Sequence, residues 1–195
     1  LDLHVGQGLP QVELVATARG VEIAAPRLRV DVDTWPAERR ANFETRLDPH
    51  WQVSGAWDLA PAPGRIGQAL TESPTGPYAD GSEATAEWNA TVLAAPNSVL
   101  EFDHICAVRP EDVAAVEITE TWGARWALLK RWDWNAHADP QGANWRDGTA
   151  DPGDWVHERI PLGNWAGRPI QIRFRFAADI HGTADGWWID AVGIV

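Results

Sequence analysis

The sequence predicts an all-β fold, an antiparallel sandwich or barrel, from three observations. Apolar and polar residues alternate with a period of two in several short runs. Those runs are separated by clusters of Gly, Pro, Asn and Asp. No long amphipathic helical pattern interrupts them. The clearest run is QIRFRF, in which Ile170, Ile172, Phe174 and Phe176 share one face while Gln171, Arg173 and Arg175 share the other. LEFDHICAV alternates too, with Leu100, Phe102, His104, Cys106 and Val108 on one side. AVEIT (115–119) and RWALLKRW (125–132) read as a hairpin turning at Trp122-Gly123, and ATAEWNATV is a further strand. Short strands with Gly/Pro-rich connections belong to sandwiches and barrels.

The last strand, DGWWIDAVGIV, raises a chemical question. Strict alternation puts Trp187, Ile189 and Ala191 on one face, and Trp188, Asp190, Val192 and Ile194 on the other. Asp190 then stands at the margin of an apolar face. A carboxylate there needs a partner, because an unpaired buried charge costs several kcal/mol or takes up a proton.

With 195 residues, 45% of them hydrophobic, the chain can build one domain of moderate size. Residues 1–41, with the β-like runs of QVELVATARGVEIAAPRLRVDV, read as a short β-rich extension or the end of a preceding domain, and residues 42–195 as the main sandwich. A net charge of -12 repels phosphate backbones and acidic membrane surfaces, which argues against nucleic-acid partners. No apolar run reaches the roughly 18 residues of a membrane-spanning helix, so membrane insertion is not expected. One cysteine permits neither an internal disulfide nor a cysteine zinc cage. Methionine is absent, position 1 included, as expected of a processed chain or a piece of a longer one.

Catalysis finds little support. The six histidines show no H-E-x-x-H spacing, and neither a G-x-S-x-G elbow nor a P-loop occurs. Alternation puts His104 and Cys106 on one face, but no third group orients them, and a cysteine in an internal strand is ordinarily inert packing. The expectation is a non-enzyme.

The thirteen tryptophans are the most unusual feature of the composition. Trp57, Trp88, Trp126 and Trp188 lie in strand-like runs and are expected in the core. Trp132, Trp134, Trp145 and Trp155 lie in or beside the long loop HADPQGANWRDGTADPGDW and are the candidates for ligand binding, since flat indoles stack on sugar faces. The same rings would serve a protein interface, where Trp is enriched at hot spots. The acids of that loop (Asp139, Asp147, Asp151 and Asp154) lack EF-hand spacing and read as a solvated surface.

From Asn42 onward the landmarks NFE, WQVSGAWDL, GQALTESPTGPY, LEFDH, VEITETWGARWALL, IQIRFRFAAD and DGWWIDAVGIV follow one another in an order that resembles the jelly-roll modules of immune inhibitor A-type secreted peptidases. It is also similar to MAM-like and galactose-binding, carbohydrate-binding-like sandwiches. The resemblance covers about residues 42–195 and implies an antiparallel jelly-roll β-sandwich. In such modules an early Glu and an Asp of the last strand help to hold a structural calcium, and Glu44 and Asp190 match those positions. Calcium takes several hard oxygen ligands, so the chemistry is consistent, although Ala191 stands where relatives often carry a second acid. The other reading of Asp190 is a carboxylate paired with an arginine such as Arg46, or one that caps backbone amides. The function expected is non-catalytic recognition or scaffolding at the cell surface or outside the cell (the periplasm being a further location), by adhesion to a protein or glycan. Its alternatives are an accessory domain of a secreted peptidase, or a structural subunit of a multi-protein surface complex or filament.

Overall fold

The computed structural model describes residues 41–109, 111–132, 150, 152 and 155–195 in full and, before them, the backbone of five short strands. The chain divides into two compact units, Leu1–Trp35 and Pro36–Val195. In the first unit, β1 (Leu3–His4), β2 (Gln11–Leu14) and β5 (Arg29–Asp31) form a three-stranded antiparallel sheet in the order β1-β2-β5. Between β2 and β5, β3 (Thr17–Ala18) pairs with β4 (Val21–Glu22).

Among the described residues the second unit contains ten strands. They are β6 (Trp51–Ser54), β7 (Asp58–Pro61), β8 (Gln68–Thr71), β9 (Glu83–Leu93), β10 (Val99–Ala107), β11 (Val113–Thr119), β12 (Ala127–Trp132), β13 (Val156–Pro161), β14 (Pro169–Ala177) and β15 (Gly186–Ile194). Two five-stranded antiparallel sheets result, in the orders β13-β10-β15-β8-β7 and β12-β11-β14-β9-β6. This is the all-β jelly-roll-type sandwich that the alternation predicts, and no α-helix occurs among the described residues. None of them forms a helix long and apolar enough to cross a membrane.

The expected hairpin is present. β11 and β12 pair antiparallel, and the turn between them places Trp122 at φ 54° and Gly123 at φ 81°. In β14, Ile170, Ile172, Phe174 and Phe176 are all buried, as their spacing requires.

Aromatic side chains join the two sheets. From one sheet come Trp51, Trp88 and Phe174, and from the other Phe102 and Trp187, each no more than 5% exposed. Trp51 stacks on Trp88 at 6.0 Å and meets Phe174 at 5.9 Å. Phe174 in turn stands edge-on to Phe102 at 5.2 Å and to Trp187 at 5.5 Å. Each such pair adds about 1 kcal/mol beyond the area it buries. Trp57 and Trp88 lie in the core as expected.

Two expectations are corrected. Trp126 is not a core residue but a half-buried ring stacked on Arg173, because it precedes β12 at the turn end of the hairpin. Nor does strict alternation hold in β15. Ala191 adopts φ 53°, and the β10–β15 register jumps from Glu101↔Gly193 to Asp103↔Asp190. One extra residue therefore sits in β15, and the inward positions change parity across it. Trp187, Ile189, Val192 and Ile194 are buried, whereas Trp188 and Asp190 remain partly exposed. Asp190 shares no face with Val192 and Ile194.

Candidate binding faces

Successive outward positions of the β12-β11-β14-β9-β6 sheet carry polar side chains in register. Arg173 pairs with Glu87 on one side and Glu117 on the other, and Glu87 is opposite Gln52. Arg173 Nε donates to Glu117 Oε2 at 2.5 Å, and its Nη1 lies 3.6 Å from Glu87 Oε1. The guanidinium also lies under the Trp126 ring, 4.3 Å from its centre. Two glutamates and an indole thus hold one arginine flat against the sheet, an arrangement favoured by charge pairing and cation–π attraction together. One row along, Asn89 Nδ2 donates to Gln52 Oε1 at 3.0 Å, and Gln171 Nε2 donates to the Asn89 carbonyl at 3.1 Å. The face offers amides, carboxylates and an indole edge, all fixed by neighbouring strands.

The other sheet carries an acidic row. His157, Asp103 and Asp190 lie across β13, β10 and β15. His157 Nδ1 lies 2.8 Å from Asp103 Oδ1, and Arg65 Nη1 donates to Asp103 Oδ2 at 2.7 Å. Burial pushes the Asp103 carboxyl up, but the bonds to Arg65 and His157 outweigh it and hold its pKa below the ordinary carboxylate value. Asp190 goes the other way. Burial raises its pKa, and the charges of Glu44 and Asp103 raise it further, against a 2.7 Å bond from the Ala191 N–H and the pull of Arg65.

Glu44 and Asp190, the predicted calcium ligands, therefore come close enough to repel each other. An isolated bridge between Ala41 and Val192 ties the segment before Glu44 to β15, and a Cβ placed at Gly67 would run into the Glu44 carboxylate. These hard oxygen donors suit calcium in type. Among the described residues no group of three or more His, Cys, Asp or Glu side chains forms a metal-binding cluster, so a calcium here would need backbone carbonyls as well. The arginine beside Asp190 is Arg65, at 3.7 Å, rather than Arg46. Arg65 arrives from the β7–β8 connection, far from Asp190 in sequence, and no local pattern marks it.

The predicted ligand-binding tryptophans separate. Trp132 packs between the sheets, 5.5 Å from Trp187, 4.9 Å from His104 and 6.1 Å from Phe102. Trp155 is half-buried beneath Arg65, whose guanidinium lies 4.1 Å from the ring, and its indole N–H donates to the Pro63 carbonyl. Trp134, Trp145 and the loop acids Asp139, Asp147, Asp151 and Asp154 lie outside the described residues. Sequence reasoning missed the Trp126–Arg173 face. The outward Arg173 of QIRFRF was legible, but its partners arrive through strand order, which alternation does not encode.

Cys106 is buried. Burial and the neighbouring charge of Glu72 push its thiol well above the ordinary cysteine value, the reverse of an activated nucleophile.

The chain matches no protein-family model and none of the curated proteins. Among solved structures it is similar to the K3 cleaved adhesin domain of Lys-gingipain from Porphyromonas gingivalis w83, with a TM-score of 0.50 and 16% identity over 81% of this chain and 98% of that one. It is also similar to TmCBM61, solved in complex with β-1,4-galactotriose, with a TM-score of 0.47 and 14% identity over 79% and 97% of the two chains. A third structure is the Endo-D glycoside hydrolase domain from Streptococcus pneumoniae R6, with a TM-score of 0.45 and 13% identity. There the match takes 74% of this chain and 20% of that one. At such identities the likeness concerns the fold: a jelly-roll-type β-sandwich.

Proposed function

We propose that the protein is a non-catalytic recognition module that binds a glycan on the outer face of the β12-β11-β14-β9-β6 sheet. The observation that carries this reading is the row Glu87–Arg173–Glu117 with Trp126 stacked on its arginine. Sugars present hydroxyl pairs and apolar C–H faces. Amide, carboxylate and indole groups fixed on rigid strands meet both without a large ordering cost. The similarity in fold to an adhesin domain of Lys-gingipain agrees with this reading. The module would act outside the cell or at its surface, alone or as part of a larger secreted chain such as a peptidase of the immune inhibitor A type. We further propose that Glu44 and Asp190 hold a structural calcium, completed by backbone carbonyls, that fastens the first segment of the sandwich to its last strand. Affinity electrophoresis through gels cast with galactan, xylan or mannan tests the glycan reading. At least one polysaccharide should retard the protein, and Trp126→Ala should weaken that retardation about tenfold. Equal mobility in every gel would overturn it.

A further inference from the structure

A cleft of about 300 Å³ opens between the β6–β7 connection and the segment that leads from β8 to β9. Of its lining residues, Glu83 alone lies on the outer face of the β12-β11-β14-β9-β6 sheet, at the start of β9 and away from the Glu87–Arg173–Glu117 row. Pro74, Pro77, Tyr78 and Ala84 give it largely apolar walls, and Ala56 stands exposed in its lining. Gly76, at φ 129°, faces open space at its rim.

The least exposed lining residue is Glu72, at 2%. Its carboxylate oxygens accept from the Trp187 N–H, at 2.9 and 3.0 Å, and from the backbone N–H of Glu72 itself. A carboxylate has room for about four hydrogen bonds, so part of its accepting capacity is unused. Among the described residues Glu72 has no ion-pair partner, and no Lys, Arg or His lines the cleft. A second acceptor nearby is also unused, since the Ser82 hydroxyl oxygen is buried without a hydrogen-bond partner among the described residues. Glu83, at the cleft's lining, is largely exposed.

Apolar walls that lead to an acid lacking a cation describe a site for an alkyl chain ending in a positive charge. A carboxylate ligand would meet the charge of Glu83 and find no cation in the lining. A guanidinium would seek two parallel bonds to a carboxylate whose two oxygens already share the Trp187 N–H. An ammonium is a compact donor that needs no such fork, and its stem matches the prolines and the tyrosine ring. We propose that this cleft receives the side chain of a lysine on a partner protein, with Glu72 as the counter-ion. The site contains no residue of the Glu87–Arg173–Glu117 row and stands or falls without it. Burial pushes the Glu72 carboxyl up to about 8, so at neutral pH it gives up its proton as the ammonium enters.

The test is calorimetry on the full chain with the peptide acetyl-Gly-Gly-Lys-Gly-Gly-amide and its norleucine counterpart, which keeps the stem and lacks the amine. The lysine peptide should saturate the protein and the norleucine peptide should not. Comparison of buffers with different ionisation heats near about pH 7 should show release of about one proton per site. Glu72→Gln should weaken binding about tenfold or more, and so should Ala56→Trp, which fills the cleft from an exposed position even if Glu72→Gln fails to fold. Absence of saturation at millimolar lysine peptide, equal binding of the norleucine peptide, or indifference to Ala56→Trp would overturn the proposal. Binding of n-butylamine without binding of the peptide would overturn the assignment to a partner's lysine.

Discussion

Asp103 and Asp190 stand opposite each other on β10 and β15, and the left-handed backbone of Ala191 is what places them there. Without the extra residue, the side chains beyond it would keep the strict parity of the sequence, and Val192 and Ile194 would leave the core. The bulge therefore serves two ends at once. It keeps the apolar end of the last strand buried and turns Asp190 toward Arg65.

Ala191→Gly should stabilise the fold by up to about 1 kcal/mol, because glycine adopts φ near 53° without the Cβ penalty. Ala191→Val should destabilise it by more than that, since a branched Cβ crowds further in the left-handed region. Urea denaturation of the three proteins gives the order, and Val above Ala would contradict the bulge.

Removal of calcium should lower the melting temperature of the parent. Saturation at about a hundred times Kd corresponds to about 2.7 kcal/mol for a single site. Asp190→Ala should abolish the difference between calcium and chelator. The effect should also weaken in acid, because the raised Asp190 pKa lets protons compete for the ligand. A parent whose melting ignores the chelator has no such site.

Glu72 should make stability depend on pH in an unusual direction. Its folded pKa of about 8 lies above its ordinary 4.5, so the folded state holds the proton more tightly. The stabilisation is complete below 4.5 and is lost as the pH rises through about 8. Between pH 4.5 and about pH 8 the parent should lose stability relative to Glu72→Gln, which cannot ionise. Parallel pH profiles for the two proteins would show that Glu72 titrates as an ordinary acid.

Tyr78→Phe should cost about 2 kcal/mol. The Tyr78 hydroxyl donates to the fully buried Asp112 carboxylate and accepts the Arg109 N–H at 2.9 Å, so its removal takes a partner from a buried carboxylate oxygen and from a part-buried N–H. Denaturation midpoints at unchanged m-value measure the loss, and a cost below about 0.5 kcal/mol would mean that the pair is hydrated.

Alternation in QIRFRF and LEFDHICAV was enough to read the strands, the buried face of β14 and the hairpin through Trp122-Gly123 from the sequence. Period-two burial is a local property, and residues within one strand record it. The parity change at Ala191 was not legible, because alanine has no strong left-handed preference and the bulge is set by the pairing with β10. Arg65, Trp155 and Asp103 meet through three separate segments, so their association is a consequence of topology. Trp126 illustrates the same limit from the other side. Its neighbours look strand-like, yet its position just ahead of β12 leaves the ring on the outer face over Arg173. Composition registered the many indoles but could not separate Trp88, stacked in the core, from Trp126 above the sheet.

The most direct test of the recognition reading is to map, by NMR, which residues respond when a retarding polysaccharide's oligosaccharide is titrated into the full chain. The account predicts shifts at the Trp126 indole, the Asn89 and Gln171 side-chain amides and the Arg173 guanidinium, with the core indole of Trp187 unmoved. Shifts confined to the Glu72 cleft or to the Asp103–Asp190 row, with the Trp126 face silent, would contradict it.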